Sequence, residues 1–152
     1  MKYQHPNRLS QNAPGDFYTI GGHYDNGEEY EECLRCWLPE MEAPTLMADI
    51  SQEGAFTSFA RQPKTDEEIE QACRACFSCC VSALRYGGTD RKIIQRLGND
   101  PIYCDYLIDI DDGIQGSLDE NGKYLPIAII ISKKIYRKAR INYYLRLRFI
   151  SI

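Results

Sequence analysis

Cys33 and Cys36 stand two residues apart in EECLRCWLPEMEAP, residues 31–44, and four more thiols follow at Cys73, Cys76, Cys79 and Cys80. With Cys104 the chain carries seven cysteines, an odd number. In a reducing compartment such a set points to ligands or buried thiols more than to disulfides. Iron–sulfur clusters take their thiolates from segments far apart in sequence, here a Cys-x2-Cys in a loop and a last cysteine, Cys79, at the end of a long helix. Zinc is open as well, because Cys33 and Cys36 with two thiols from 73, 76, 79 and 80 would form a tetrahedral site. A third reading needs no metal. At about 100° per residue, Ile69, Cys73, Cys76 and Cys80 share one helical stripe, and a free cysteine packs as a small hydrophobe.

Other chemistry is thinly represented. His5 and His23, the only histidines, fall in loops without a cysteine at metal spacing and read as solvated side chains. IGGH and GGTD lack the spacing of a phosphate-binding loop, so their glycines read as turn formers. Trp37 reads as a lid on the core, and no Ser/His/Asp or Cys/His constellation stands out. The expectation is that the protein is not an enzyme.

The elements that must position these residues follow from periodicity and punctuation. Residues 1–15 carry Pro6 and Pro14 and read as an irregular arm leading into a strand at DFYTI, 16–20. GGHYDNGEEYEE reads as loop, LPEMEAPTLMA as one or two helical turns opened by Pro39, and GAFTSFARQ, 54–62, as a strand. KTDEEIEQACRACFSC, 64–79, opens on Thr65 with an acidic first turn and reads as a helix. ALRYGGT, 83–89, is a short strand and DRKIIQRLGND, 90–100, a short helix stopped by Gly98. Helices against one face of an antiparallel sheet, an α+β fold, suit connections this short. Beyond Cys104, YLIDIDD, YLPIAIII and YYLRLRF carry strand patterns, with Asp109 and Asp111 positioned to face Arg146 and Arg148 if the first and last runs pair.

NAPGDFY, CLRCWLPEMEAP, RQPKTDEEIEQA and CCVSALRYGG, taken together, resemble the small single-cluster bacterial ferredoxins over roughly residues 12–90. The family's loop runs Cys-x2-Cys-x2-Cys, so alignment on EAP puts Cys33 first, Cys36 second and Pro39 where the third ligand stands. The family's Cys-Pro at the last ligand is Cys79-Cys80 here. The resemblance implies a ferredoxin-like antiparallel sheet with helices on one face over residues 1–104, N-terminal arm included, and leaves 105–152 as a strand-rich extension with a basic tail. It further implies one-electron transfer through a 4Fe–4S or 3Fe–4S cluster held by Cys33, Cys36 and Cys79, with Cys76 or Cys80 as the fourth thiolate.

Charge bears on partners. All 22 acids lie before residue 123, whereas residues 123–152 hold 8 of the 18 basic residues and no acid, so an acidic body carries a basic tail. An acidic body suits a redox partner protein steered by complementary charge. It suits equally a cluster-free binding protein, such as an immunity or inhibitor protein docking a basic partner. The tail's strand pattern argues that its arginines pair with the protein's own acids rather than with nucleic acid or membrane. No apolar signal segment opens the chain, and its longest apolar run, Ile127 to Ile131, is too short to span a bilayer, so a cytoplasmic location is expected.

Overall fold

The computed structural model describes residues 4–108, and beyond them the strand segments Ile114–Gln115, Ser117–Leu118 and Tyr124–Leu125. In chain order the elements are β1 (Phe17–Thr19), β2 (Gly21–His23), β3 (Glu29–Glu31), α1 (Leu38–Glu42), α2 (Asp66–Ser78), β4 (Leu84–Tyr86), α3 (Arg91–Arg96), β5 (Leu107–Ile108), β6 (Ile114–Gln115), β7 (Ser117–Leu118) and β8 (Tyr124–Leu125). The class is α+β, with short antiparallel sheets of two strands and a few helices.

β1 and β4 form the centre. Phe17 faces Tyr86, Tyr18 faces Arg85 and Thr19 faces Leu84 in antiparallel register, and all six residues are buried. Aromatic and β-branched side chains favour this paired, covered surface. The other edge of β4 is also taken, because Tyr86 N–H donates to Tyr103 O at 2.7 Å and Asp105 N–H donates to Tyr86 O at 3.0 Å. Phe17 packs against Phe59 and Tyr86, with ring centroids 5.7 and 4.8 Å away. At Gly88 the chain passes so close to the Tyr86 hydroxyl that a Cβ would stand 2.2 Å from it, which excludes any side chain there.

α2 covers this centre. Thr65 caps it, its hydroxyl accepting from Glu68 N–H while the Glu68 carboxylate accepts from Thr65 N–H, and Asp66, Glu67 and Glu68 favour the positive end of the helix dipole. Its inner face presents Ala72, Cys73, Ala75 and Cys76 to a core that includes Leu46, Phe59, Leu84, Ile94 and Leu107. α1 packs on α2, and Arg74 Nε meets Glu42 Oε2 at 3.0 Å where the two helices join. Asp90 caps α3, accepting from Lys92 N–H at 2.8 Å, and Gly98 at φ 76° ends it.

Two expectations are corrected. The segment 21–32, expected as loop, is the hairpin of β2 and β3, turned at Asn26-Gly27 with Gly27 at φ 85° and Asn26 Oδ1 accepting from Glu28 N–H. The segment 54–62, expected as a strand, forms only an isolated bridge between Phe59 and Met47. Its amides are satisfied elsewhere: Phe56 N–H by Gln11, Thr57 N–H by Glu31 and Phe59 N–H by Asn12 side chains. The strand at Tyr106 takes as its described partner β6, with Ile108 opposite Ile114; the run 143–149, expected to lie beside it, falls outside the described residues, as does most of the basic tail. Among the described residues no helix is long and apolar enough to cross a membrane.

Candidate functional site

The Cys33–Cys36 loop is held from both sides. Arg35 and Trp37 take left-handed backbone conformations, φ 53° and 64°, so Cys36 lies between two tight reversals. The Arg35 guanidinium donates to Ile50 O at 2.6 Å and Ala55 O at 3.1 Å and lies 3.6 Å from Glu31 Oε1, which pins the loop to segment 50–55. Leu38 and Pro39 then start α1, proline losing no hydrogen bond at this position.

Cys33 is drawn inward. Its thiol donates to Thr57 Oγ1 at 3.1 Å, its sulfur accepts from Arg35 N–H at 3.2 Å, and the Thr57 hydroxyl donates to Glu40 Oε1 at 3.0 Å. Glu40 Oε2 is buried and has no hydrogen-bond partner among the described residues. Burial pushes the Cys33 thiol up from its ordinary range, against its hydrogen bonds with Thr57 and the Arg35 amide, and the Glu31 carboxylate acts in the same direction as burial.

The end of α2 supplies the other side. Cys79 is the C-cap in an extended conformation, is buried, and accepts Ala83 N–H at 3.2 Å. The turn at Cys79 faces the next residue outward, so Cys80 is exposed, while Cys36 in the loop is half-buried. The loop thus carries Cys33 and Cys36, and the end of α2 carries Cys79 and Cys80.

The remaining thiols belong to the core. Cys73, Cys76 and Cys104 are buried. Burial raises Cys73 to about 11 and Cys104 to about 12, and holds Cys76 well above the ordinary thiol range. Of the two candidates for a fourth thiolate, Cys80 is exposed past the end of α2 and Cys76 is buried in the core with Cys73 and Cys104. The helical stripe of Ile69, Cys73, Cys76 and Cys80 therefore breaks at its last member, because α2 ends at Ser78 and Cys80 lies past the cap.

Two further expectations change. Trp37 is not a lid on the core but 45 % exposed, beside the exposed Leu34, Leu38 and Met41 of the same segment. His5 is half-buried against Tyr18, ring centroids 6.4 Å apart, and burial lowers its pKa, with Arg85 adding to the effect. Thr57, Glu31 and Glu40 were not singled out in the sequence as site residues. Their only signal is position: the two acids flank the thiol loop, while Thr57 is a polar residue in an apolar-rich stretch.

The donor chemistry suits a soft metal centre: four thiols, with backbone N–H groups donating to Cys33 and Cys79 as they do to cluster sulfurs. Among the described residues no three His, Cys, Asp or Glu side chains are grouped to hold a metal ion. No family model, curated protein or solved structure matches the chain.

Proposed function

We propose that the protein is a one-electron carrier of the single-cluster ferredoxin type, with a ferredoxin-like fold over its α+β body, holding an iron–sulfur cluster through Cys33, Cys36, Cys79 and Cys80. The observation that supports this reading is the packing of α1 on α2: the Cys33–Cys36 loop leads into α1 and Cys79-Cys80 ends α2, so thiols 43 and more residues apart in sequence flank two packed helices. Pro39, at the position of the family's third ligand, is replaced in this scheme by Cys80, which occupies the family's proline position beside Cys79. Bound iron would favour the thiolates that burial disfavours, at Cys33 above all. When bound, the cluster supplies the electron. The chain supplies the N–H···S bonds that tune it, and the exposed Trp37, Leu38 and Met41 offer an apolar approach for a redox partner.

The test is anaerobic purification and reconstitution with iron and sulfide, followed by iron and sulfide analysis and visible absorption. Stoichiometric iron with charge-transfer bands supports the cluster. A colourless, metal-free chain after reconstitution overturns it. One observation favours a second reading, a cluster-free protein that docks a basic partner as an inhibitor would: the sulfurs do not form a closed ligand shell. The same colourless result, with zinc absent, selects that reading.

A further inference from the structure

A polar cavity of about 150 Å³ beside β1 is lined by none of the seven cysteines. We propose that it binds the ammonium and carboxylate groups of a free α-amino acid, whose apolar side chain lies in the groove next to it. Arg8 is the fixed cation of the cavity. Its guanidinium donates to Gly15 O at 2.9 Å and to Ala13 O at 3.0 Å, and lies 4.7 Å from the centre of the Tyr18 ring. Arg35, Arg61, Arg74, Arg85 and Arg96 each pair with a carboxylate, whereas among the described residues no carboxylate pairs with Arg8. Two carbonyls use only part of a guanidinium's donor set, which leaves N–H groups for a ligand carboxylate.

The lining carries one charge of each sign. His5 accepts Asn7 N–H at Nδ1, 3.1 Å away, and burial with the charge of Arg85 favours its neutral ring, so the positive charge is that of Arg8. The negative charge is Asp16. A carboxylate accepts several hydrogen bonds at once, so an ammonium adds to the contacts that Asp16 already makes. In a space this small a simple carboxylate would meet the charge of Asp16 and a simple amine that of Arg8, whereas a zwitterion matches both. The segment 13–17 is also held before any ligand arrives. Asp16 O accepts Gly87 N–H at 2.7 Å, and the Gln62 amide bonds to Phe17 N–H, Phe17 O and Ala13 O.

Asp16 belongs as well to a groove of about 380 Å³ walled by Phe17, Pro63, Ile69, Tyr86 and Ile93. Gly15 and Asp16 are common to the two spaces. A Cβ at Gly88 would clash with both the Tyr86 hydroxyl and Asp16 Oδ2, so this carboxylate reaches the aromatic wall of the groove. An α-carbon beside Asp16 therefore has charged partners on one side and an apolar wall on the other. That suits leucine or phenylalanine, whose side chains gain from leaving water, and leaves glycine without this contribution.

The experiment titrates the full chain calorimetrically with L-leucine and L-phenylalanine into the millimolar range. Saturable binding of at least one is expected. For the one that binds, the amide, which lacks the carboxylate, and the N-acetyl form, which lacks the ammonium, should each bind about tenfold more weakly or worse. Arg8→Gln and Asp16→Asn should weaken binding by a similar factor, with thermal melts to show that each variant is folded. The blocked ligands decide the matter on the unaltered chain if either variant is not. No saturable binding of either amino acid, a blocked form that binds as tightly as its parent, or unchanged binding in a folded variant would overturn the proposal. Equal affinity for the N-acetyl form would assign the cavity to a bare carboxylate, such as a peptide C-terminus, instead. The readout needs no iron, so it stands or falls apart from the cluster.

Discussion

Arg85 on β4 and Asp105, just past the Cys104 bridge, form a buried ion pair, with Nε and Oδ1 2.9 Å apart. The pair is well satisfied. Tyr18 donates its hydroxyl to the other oxygen of Asp105, and the remaining guanidinium nitrogens donate to Ile102 O at 2.7 Å, Pro101 O at 3.0 Å and Cys104 O at 3.3 Å. Burial, with the charge of Asp105, pushes the Tyr18 hydroxyl pKa up, so it remains a donor. The network thereby ties β1, β4 and the 101–105 turn into one unit.

Removing one member should therefore expose the cost of a buried charge left alone. Asp105→Ala should destabilise by roughly 3–5 kcal/mol, and Tyr18→Phe, which removes one donor only, by roughly 1–2 kcal/mol. Denaturant melts of both variants check the order. Equal losses would mean that the ion pair is not what matters here.

At the start of α2, Thr65→Ala should cost about 1 kcal/mol, since the side chain that caps Glu68 N–H is lost. Glu68 itself gives a pH signature. The Arg61 guanidinium, 2.6 Å away, together with the amides of Lys64 and Thr65, lowers its carboxyl from the ordinary 4.5 to about 2. A carboxyl depressed in the folded state stabilises fully above its unfolded value and loses that contribution as pH falls through the folded one. The difference in melting temperature between the unaltered chain and Glu68→Gln should thus be present at pH 7 and shrink between pH 4.5 and 2. A gap that is the same at both ends would contradict the assignment.

Thiol accessibility should divide the cysteines as the structure does. With a chromogenic disulfide reagent at mildly alkaline pH, Cys80 and Cys36 should react in the native state. Cys73, Cys76 and Cys104 should wait for unfolding, being buried with thiols held at about 11 for Cys73, about 12 for Cys104 and well above the ordinary range for Cys76. Native-state labelling of Cys76 at the rate of Cys80 would refute the core assignment.

How much of this was legible depended on whether the signal was local. The Thr65 cap, the acidic first turn and Pro39 at the head of α1 are local devices, and the helices stand where those devices put them. The β2–β3 hairpin was missed although Asn26-Gly27 announces its turn, because Glu29-Tyr30-Glu31 lacks the apolar alternation that marks a half-buried strand. Segment 54–62 misled in the opposite way. Its Thr57, Ser58 and Phe59 are buried consecutively, and their amides and carbonyls bond to Asn12, Glu31 and Ala48 rather than to a ladder, a non-local arrangement that no short window encodes. At the site, the thiols Cys33, Cys36 and Cys79 were visible from spacing alone. Which of Cys76 and Cys80 would complete the proposed site is not legible from spacing, because it turns on where α2 stops.

Paired substitutions at Cys33 and Cys76 separate ligand from core. In Cys33→Ser the hydroxyl can still donate to Thr57, so the fold should hold, but the hydroxyl is a far poorer ligand for iron than a thiolate. Reconstituted protein should then lose most of its iron with little change in melting temperature. Cys76→Ser should do the reverse. Its sulfur is buried among Cys73, Cys104 and Cys79, and a hydroxyl placed there without a partner should cost roughly 1–3 kcal/mol while iron content is unchanged. Iron retained in Cys33→Ser would remove the loop from the site, and iron lost in a still-folded Cys76→Ser would restore Cys76 as the fourth ligand in place of Cys80.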